Sequence, residues 1–255
     1  MLYVSCRSIV KQAYDFISLT EQIPMTRFAS LSLLILCMFV QSSQAEEKEE
    51  QGPDLPKVVL IGDSIRLRYT ATVVKELEGK AVVFSPKPNG QDSRNVLKNL
   101  DAWAIKQQPA IVHFNCGIHD TKKFKTTGKF QVSPEEYESN LRKIVEQIRD
   151  KTDAVVIFAT STPIFDDRAA KVRAGRDYEL LNASIEQYNE IARKVMVDLK
   201  VPVNDLNGTL NSPKSAETTK TLIVADGVHL TSAGQQLLGQ KVAHMIEKHL
   251  KTRSK

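Results

Sequence analysis

The sequence predicts an α/β protein with a mostly parallel sheet of about five strands, covered by helices on both faces. Short apolar runs rich in β-branched residues recur along the chain, as is typical of buried strands. Between them lie segments with apolar residues at three- and four-residue spacing, which indicates amphipathic helices. No tight hairpin signal joins neighbouring runs, and this alternation favours parallel pairing. The predicted strands lie at residues 58–61, 81–84, 111–115, 154–159 and 203–206.

Helix start signals support the predicted alternation. Ser93 is a suitable N-cap for a helix that extends to Trp103. Ser133-Pro-Glu-Glu136 combines a capping Ser with Pro at the first position and a capping-box Glu. The other helices are predicted at about 65–77, 179–199 and 231–250. Three further segments are predicted to be loops, at about 116–132, 160–178 and 207–228.

Composition places the chain among ordinary globular proteins. Its 255 residues suffice for one sizeable α/β domain, and the fractions of hydrophobic residues, 42%, and charged residues, 25%, are typical. The net charge of +5 is spread along helix faces and the C-terminal tail. No basic stretch is interleaved with aromatic residues, so the sequence argues against a nucleic-acid partner.

The first 45 residues have the pattern of a targeting segment. From Met25, the expected initiator, a basic start leads into a short apolar run at 31–40 and then to the small residues Ser43 and Ala45. The run is short for a bilayer span, so we expect a cleaved signal and an exported protein, periplasmic or secreted, with no stable membrane span. A signal anchor is the alternative. Residues 46–56 are predicted to be a flexible linker, and 57–251 the folded domain.

Cleavage after Ala45 would leave Cys116 as the one cysteine of the mature chain, without an intramolecular disulfide. Cys116 ends a predicted strand and is expected to be a small buried residue. The histidines are scattered and lack the spacing of metal ligands. We therefore expect neither a metal nor another cofactor.

The clearest candidate for chemistry is Ser64 in Gly62-Asp-Ser64. These residues follow the first predicted strand and precede its helix, so Ser64 should lie in a tight turn at the carboxyl edge of the sheet. Open α/β sheets bind ligands at that edge, and a helix N-terminus favours developing negative charge. Taken alone, Gly-Asp-Ser is also ordinary turn and N-cap chemistry.

A base for this serine is available near the end of the chain. Asp226 precedes His229 by three residues, just before the last helix. A nucleophilic serine needs a base, and the base needs an orienting carboxylate. A capping Asp beside a surface His is the alternative interpretation.

Two loops can supply donors for an oxyanion at the same edge. Gly90 lies after the second strand, where a backbone N–H can approach a substrate closely. Gly117-Ile-His119-Asp120 lies after the third strand.

Four short blocks therefore follow one another, each at a strand end: Gly62-Asp-Ser64, Gly90, Gly117-x-x-Asp120 and Asp226-x-x-His229. In order and spacing they resemble the SGNH (GDSL-type) hydrolases over about residues 57–250. The resemblance implies a flavodoxin-like three-layer α/β/α sandwich and ester hydrolysis through an acyl-serine intermediate. It implies Ser64 as nucleophile, His229 as general base and Asp226 as its orienting partner. The implied oxyanion donors are the backbone N–H groups of Ser64 and Gly90 and the side chain of His119.

Position 119 departs from the family pattern, which has Asn where this chain has His. A neutral imidazole donates one hydrogen bond, and only from the nitrogen that carries the proton. We expect Asp120 to hold the required tautomer. The departure leaves a second class open, a catalytically impaired module that keeps the fold and binds glycan.

The expected substrate is a polar ester, a short-chain or O-acetyl ester on a saccharide. No apolar lid segment is visible, which argues against a true lipase, although a general short-chain lipase or thioesterase stays open. Arg168, Arg173 and Arg176 are candidates to bind an acidic sugar. The alternative is that they belong to a solvated charged loop without a ligand. A nucleotide-binding flavodoxin-like protein is disfavoured, because Gly62-Asp-Ser64 lacks a phosphate-binding glycine-rich loop.

Overall fold

A computed structural model describes residues 55–212 and 219–253. The predicted targeting segment 1–45, with Met25, and the linker up to residue 54 lie outside the described residues. The strands are β1 (Lys57–Ile61), β2 (Val82–Phe84), β3 (Ile111–Phe114), β4 (Lys123–Phe124), β5 (Val155–Ala159), β6 (Tyr178–Glu179) and β7 (Val203–Asn204). The helices are α1 (Ser64–Glu76), α2 (Ser93–Trp103), α3 (Pro134–Lys151), α4 (Asp166–Val172), α5 (Asn182–Asp198), α6 (Leu206–Asn211), α7 (Thr219–Leu222) and α8 (Ser232–Arg253), with a 3₁₀ turn at Ile105–Gln107.

Five strands form one parallel sheet in the order β2-β1-β3-β5-β7. The predicted class is thereby confirmed, and the order is the flavodoxin-like one. In such a sheet the connections leave on opposite faces at the point where the order reverses, which here lies between β1 and β3. A crevice opens there, outside the carboxyl ends of the two strands.

The two faces of β1 explain why its run is apolar without interruption. Val58 and Leu60 lie in one core cluster, whereas Val59 and Ile61 lie in the other. Residues of α1 and α8 pack in the first cluster, and residues of α2, α3 and α5 in the second. A strand buried on both faces cannot alternate apolar with polar residues, because both pleats face protein.

The segments predicted to be loops contain short elements, so the loop prediction is wrong in part. β4 pairs antiparallel with β6, joining Lys123 to Glu179 and Phe124 to Tyr178. Helix α4 lies in the second segment, and α6 and α7 lie in the third. Two-residue strands and helices of four to seven residues are too short to show a hydrophobic period. Their partners are distant in sequence, so only the folded chain brings them together.

Two predicted boundaries also shift. Helix α5 begins at Asn182 and not at 179, because residues 178–179 pair with β4. The last strand ends at Asn204, and Asp205 caps α6 by accepting the N–H of Gly208.

Among residues 55–212 and 219–253, no helix combines the length and the apolar character that crossing a membrane requires.

Candidate active site

Ser64 is the first residue of α1, and only Gly62 and Asp63 separate it from the end of β1. The N-cap is Asp63, whose carboxylate Oδ1 accepts the N–H of Ile65 at 2.9 Å. The turn chemistry and the nucleophile interpretation are therefore compatible. Asp63 performs the capping, and the Ser64 hydroxyl is left for another partner.

That partner is His229, 165 residues away in sequence. The Nε2 atom of His229 lies 2.9 Å from Ser64 Oγ, and its Nδ1 lies 2.6 Å from Asp226 Oδ2. A carboxylate only accepts hydrogen bonds, so Nδ1 carries the proton and Nε2 offers its lone pair to the serine hydroxyl. The structure thus brings all three predicted residues into one hydrogen-bonded line.

The turn at 226–229 is itself closely fixed. The other carboxylate oxygen of Asp226 accepts the backbone N–H groups of Val228 and His229, each at 2.9 Å. Burial acts to raise the pKa of Asp226, but the hydrogen bonds from the His229 side chain and from these two N–H groups outweigh it. The pKa of this carboxyl is consequently below its ordinary value, and Asp226 stays ionised.

Gly227 allows the turn to form. Its φ of +75° lies in the left-handed region, and an added Cβ would come within 2.6 Å of the Phe165 carbonyl oxygen. The Gly227 carbonyl in turn accepts the N–H of Phe165 at 2.8 Å. The segment at the start of α4, predicted to be loop, therefore supports the Asp-x-x-His turn.

Gly90 lies against the β1–α1 turn. Its backbone N–H donates to the carbonyl of Gly62 at 2.8 Å, two residues before Ser64. A Cβ at this position would meet that carbonyl oxygen at 2.6 Å, so a side chain has no room. The N–H predicted as an oxyanion donor is thus engaged in this structure, and it reaches a substrate only by exchanging this bond.

His119 follows β3 at the same sheet edge and is partly buried. Its Nδ1 lies 3.0 Å from the Nζ of Lys122. Asp120 does not hold it, so that expectation is wrong. One Asp120 oxygen accepts the N–H of Ser93 at 2.9 Å, and the other has no hydrogen-bond partner. Desolvation raises the pKa of the buried Asp120 to about 7.

The chain also matches a known protein family. The family model that matches is the GDSL-like Lipase/Acylhydrolase family, over residues 61–237. The chain belongs to this family. The match runs from the end of β1 into α8 and so includes every predicted site residue, and the resemblance read from the sequence is confirmed.

Three similar proteins illustrate the relationship of this GDSL-family chain to others at low sequence identity. It is 25% identical over 211 residues to the GDSL esterase/lipase CPRD49 of Arabidopsis thaliana, covering 77% of this chain and 80% of that protein. Its fold is similar to that of the lipase/acylhydrolase from Enterococcus faecalis, with a TM-score of 0.62, 20% identity and coverage of 76% and 96%. It is also similar to Axe2, an acetylxylan esterase from Geobacillus stearothermophilus, with a TM-score of 0.60, 19% identity and coverage of 75% and 94%.

Sequence reasoning missed Arg66, the third residue of α1. Its buried guanidinium donates to Ser85 Oγ and Pro86 O at 2.8 Å each, to Pro88 O at 2.9 Å and to Gly62 O at 3.0 Å. It therefore connects the loop that carries Gly90 to the β1–α1 turn of this GDSL-family chain, which leads into Ser64. An arginine on a helix is usually a solvated residue, so no sequence signal separated this one from its neighbours.

The arginines proposed to bind an acidic sugar have structural partners. Arg173 Nη1 donates to the Asp226 carbonyl at 3.2 Å, and Arg168 Nη1 donates to the Ile223 carbonyl at 3.1 Å. Arg176 is exposed, and its own carbonyl accepts from Lys125 at 3.0 Å. Two of the three thus brace the segment that leads to the Asp-x-x-His turn.

Cys116 is buried and free, as predicted, and burial raises its pKa well above the ordinary thiol value. A buried, protonated thiol is a poor nucleophile, so Cys116 does not compete with Ser64. Within the described parts of the chain no group of three or more His, Cys, Asp or Glu side chains could hold a metal ion.

Proposed function

We propose that this GDSL-family protein is a serine esterase that hydrolyses a short-chain ester, most readily an O-acetyl ester on a saccharide. The observation that carries the proposal is the continuous line from Asp226 Oδ2 through His229 to Ser64 Oγ, with distances of 2.6 and 2.9 Å. A serine, a histidine whose lone pair faces it, and a carboxylate on the opposite ring nitrogen form the arrangement that acyl transfer through serine requires.

The chemistry follows from these three side chains. Ser64 Oγ attacks the ester carbonyl carbon while His229 Nε2 takes the hydroxyl proton. Asp226 stabilises the imidazolium that forms. The tetrahedral intermediate then collapses, and His229 gives the proton to the departing alcohol oxygen, which leaves an acyl-Ser64. A water molecule, deprotonated by His229, attacks the acyl carbon and releases the acid and the free serine.

The oxyanion of both tetrahedral intermediates needs donors. The backbone N–H of Ser64 is at the first position of α1, where a helix has no partner of its own for that group. The His119 side chain is the second donor in the proposal. The Gly90 N–H is the third, once its bond to the Gly62 carbonyl is exchanged for one to the substrate.

A saccharide O-acetyl substrate is supported by the character of the surroundings. The side chains of Lys122 and Arg173 lie near the site, and the segments that follow β3 and β5 are rich in charge. Axe2, which shares the fold, is an acetylxylan esterase. A small acyl group bound beside polar and cationic groups fits a sugar acetate better than a long-chain lipid.

The test compares the full chain with its Ser64→Ala variant on p-nitrophenyl acetate, p-nitrophenyl decanoate and acetylated xylo-oligosaccharide. We expect turnover of both acetates to vanish in Ser64→Ala, while the decanoate is a poor substrate for the wild type. Thermal unfolding checks that the variant is folded. Equal turnover in both proteins would refute the role of Ser64. Saccharide binding without any turnover by the wild type would favour the impaired glycan-binding module.

We further propose that residues 1–45 direct export. The support is the basic start, the apolar run at 31–40 and the small residues Ser43 and Ala45. Expression of the full chain with recovery from the extracytoplasmic fraction, followed by N-terminal sequencing, tests it. A mature protein that begins at residue 46 is expected, and an unprocessed chain retained in the membrane would indicate a signal anchor.

A further inference from the structure

The imidazole of His119 has a cation, and not a carboxylate, at its Nδ1. Lys122 Nζ lies 3.0 Å from that atom. An ammonium group has donors and no acceptor, so Nδ1 must accept through its lone pair. In a neutral imidazole the single proton is then on Nε2, the nitrogen on the other side of the ring.

We propose that Lys122 is the positioning residue that makes His119 a hydrogen-bond donor at the reaction centre, because it holds the Nε2–H tautomer. This inference rests on the proposed function, since a donor is needed only if an oxyanion forms. An asparagine amide donates from its NH₂ group whatever its neighbours do. A histidine at the same position needs a second residue to set its proton, and Lys122 is that residue.

The local backbone brings the pair together. Residues 117–122 form a turn in which Thr121 N–H donates to the Gly117 carbonyl at 2.9 Å and Lys122 N–H to the His119 carbonyl at 3.3 Å. The ammonium also lies over the ring of Tyr178 in β6, 5.2 Å from its centroid. Tyr178 of the small β4–β6 sheet therefore contacts the Lys122 ammonium and helps to hold it beside the His119 imidazole.

The surrounding charges favour a neutral His119. Burial first and the Lys122 charge second lower the pKa of His119, and the charge of His229 acts in the same direction. The carboxylates of Asp63 and Asp92 oppose this shift without cancelling it. Lys122 itself faces Asp92, Asp120 and Arg173, and burial lowers its pKa while the two carboxylates support its charge. A neutral ring with a fixed tautomer is the state that donates from one defined nitrogen.

Removing the Lys122 ammonium should lower kcat, because the Nε2–H tautomer of His119 is then no longer fixed. With Lys122→Met, both tautomers become accessible, and the Nδ1–H form turns a lone pair toward the oxyanion. The expected loss in kcat is between about twofold, if the tautomers are equally populated, and about 100-fold, if the wrong one prevails. KM should change little, because the oxyanion exists only in the transition state and not in bound substrate.

The matched kinetic controls are Lys122→Arg and Lys123→Met. Arginine also carries donors and no acceptor, so Lys122→Arg should retain most of the activity. Lys123 is the next residue and is similarly half-buried, in β4, so Lys123→Met tests the loss of a nearby charge alone.

In a His119→Asn background the effect of Lys122→Met on kcat should shrink strongly, because an amide needs no tautomer partner. Equal effects in both backgrounds would overturn the inference.

A readout independent of turnover separates this inference from the proposed function. Long-range proton–nitrogen NMR of the ¹⁵N-labelled full chain distinguishes Nδ1–H from Nε2–H, with the His119 signals assigned by their loss in His119→Asn. We expect Nε2–H in the wild type and in Lys122→Arg, and a mixture or Nδ1–H with a raised pKa in Lys122→Met. An Nδ1–H tautomer in the wild type, or a tautomer that Lys122→Met leaves unchanged, overturns the role of Lys122. Unimpaired turnover by Ser64→Ala would instead refute the esterase.

Discussion

Two imidazoles lie at the carboxyl edge of the sheet and differ in what their Nδ1 atoms contact. His229 Nδ1 lies 2.6 Å from the Asp226 carboxylate, whereas His119 Nδ1 lies 3.0 Å from the Lys122 ammonium. The Asp226 carboxylate accepts a hydrogen bond, so the proton of His229 lies on Nδ1 and its Nε2 is left as a base. The Lys122 ammonium donates a hydrogen bond, so the proton of His119 lies on Nε2, which is left as a hydrogen-bond donor. In the proposed mechanism the same side chain therefore takes opposite roles, according to the charge of the group at its Nδ1.

The largest expected effect is the loss of the base. In His229→Gln no side chain remains to take the proton of Ser64, and we expect kcat on p-nitrophenyl acetate to fall by on the order of 10⁵-fold or more. The control is His244→Gln, which replaces an exposed histidine of α8 and should leave the rate unchanged. A loss of less than about tenfold in His229→Gln would contradict the assignment of His229 as base.

The second effect tests whether the partner sets the role. Asp226→Asn places an amide at Nδ1 of His229, and an NH₂ group there favours the Nε2–H tautomer, which is the state proposed for His119. The base then loses its lone pair toward Ser64, and a fall in kcat of about 10⁴-fold is expected. The measurement is single-turnover acylation. Retained acylation would show that Asp226 does not control the proton.

The third effect concerns the proposed donor. Truncation in His119→Ala should lower kcat by about 100- to 1,000-fold with KM little changed, because an oxyanion donor is lost. His119→Asn restores a donor and should recover most of that activity. If His119→Ala retained full kcat, His119 would have no part in stabilising the oxyanion, and the comparison of the two imidazoles would fail.

A third imidazole sharpens the comparison through stability. His113 is buried in β3 beside Asn204, and burial lowers its pKa to about 4. In the unfolded chain the pKa of this histidine has its ordinary value of about 6.5. The contribution of neutral His113 to the free energy of unfolding is therefore fully present above that pH and is lost as the pH falls toward 4. The loss should reach about 3 kcal/mol.

Chemical denaturation of the wild type and of His113→Gln between pH 4 and pH 8 measures this effect. The variant is expected to be less stable at pH 8 but to lose less stability on acidification. Parallel pH profiles for the two proteins would show that another group controls the acid response.

Much of the architecture could be predicted because it is written in local patterns. The apolar run that becomes β1 is uninterrupted because both faces are buried, and the capping signal at Ser133 marks the start of α3. What could not be predicted were the short elements. The two-residue pairing of β4 with β6 and the helix α4 carry no period, and they form only because distant segments meet.

The sequence by itself determined the family, the parallel sheet, and Ser64, Asp226 and His229 as the candidates for chemistry, since order along the chain and residue type carry that information. The tertiary structure decided the distances, the engagement of the Gly90 N–H by the Gly62 carbonyl, and the contacts of the arginines with backbone carbonyls. It also showed that the partner of His119 Nδ1 is Lys122 and not Asp120. The physical reason is that the position of a proton depends on which group touches the ring, and that contact exists only after folding.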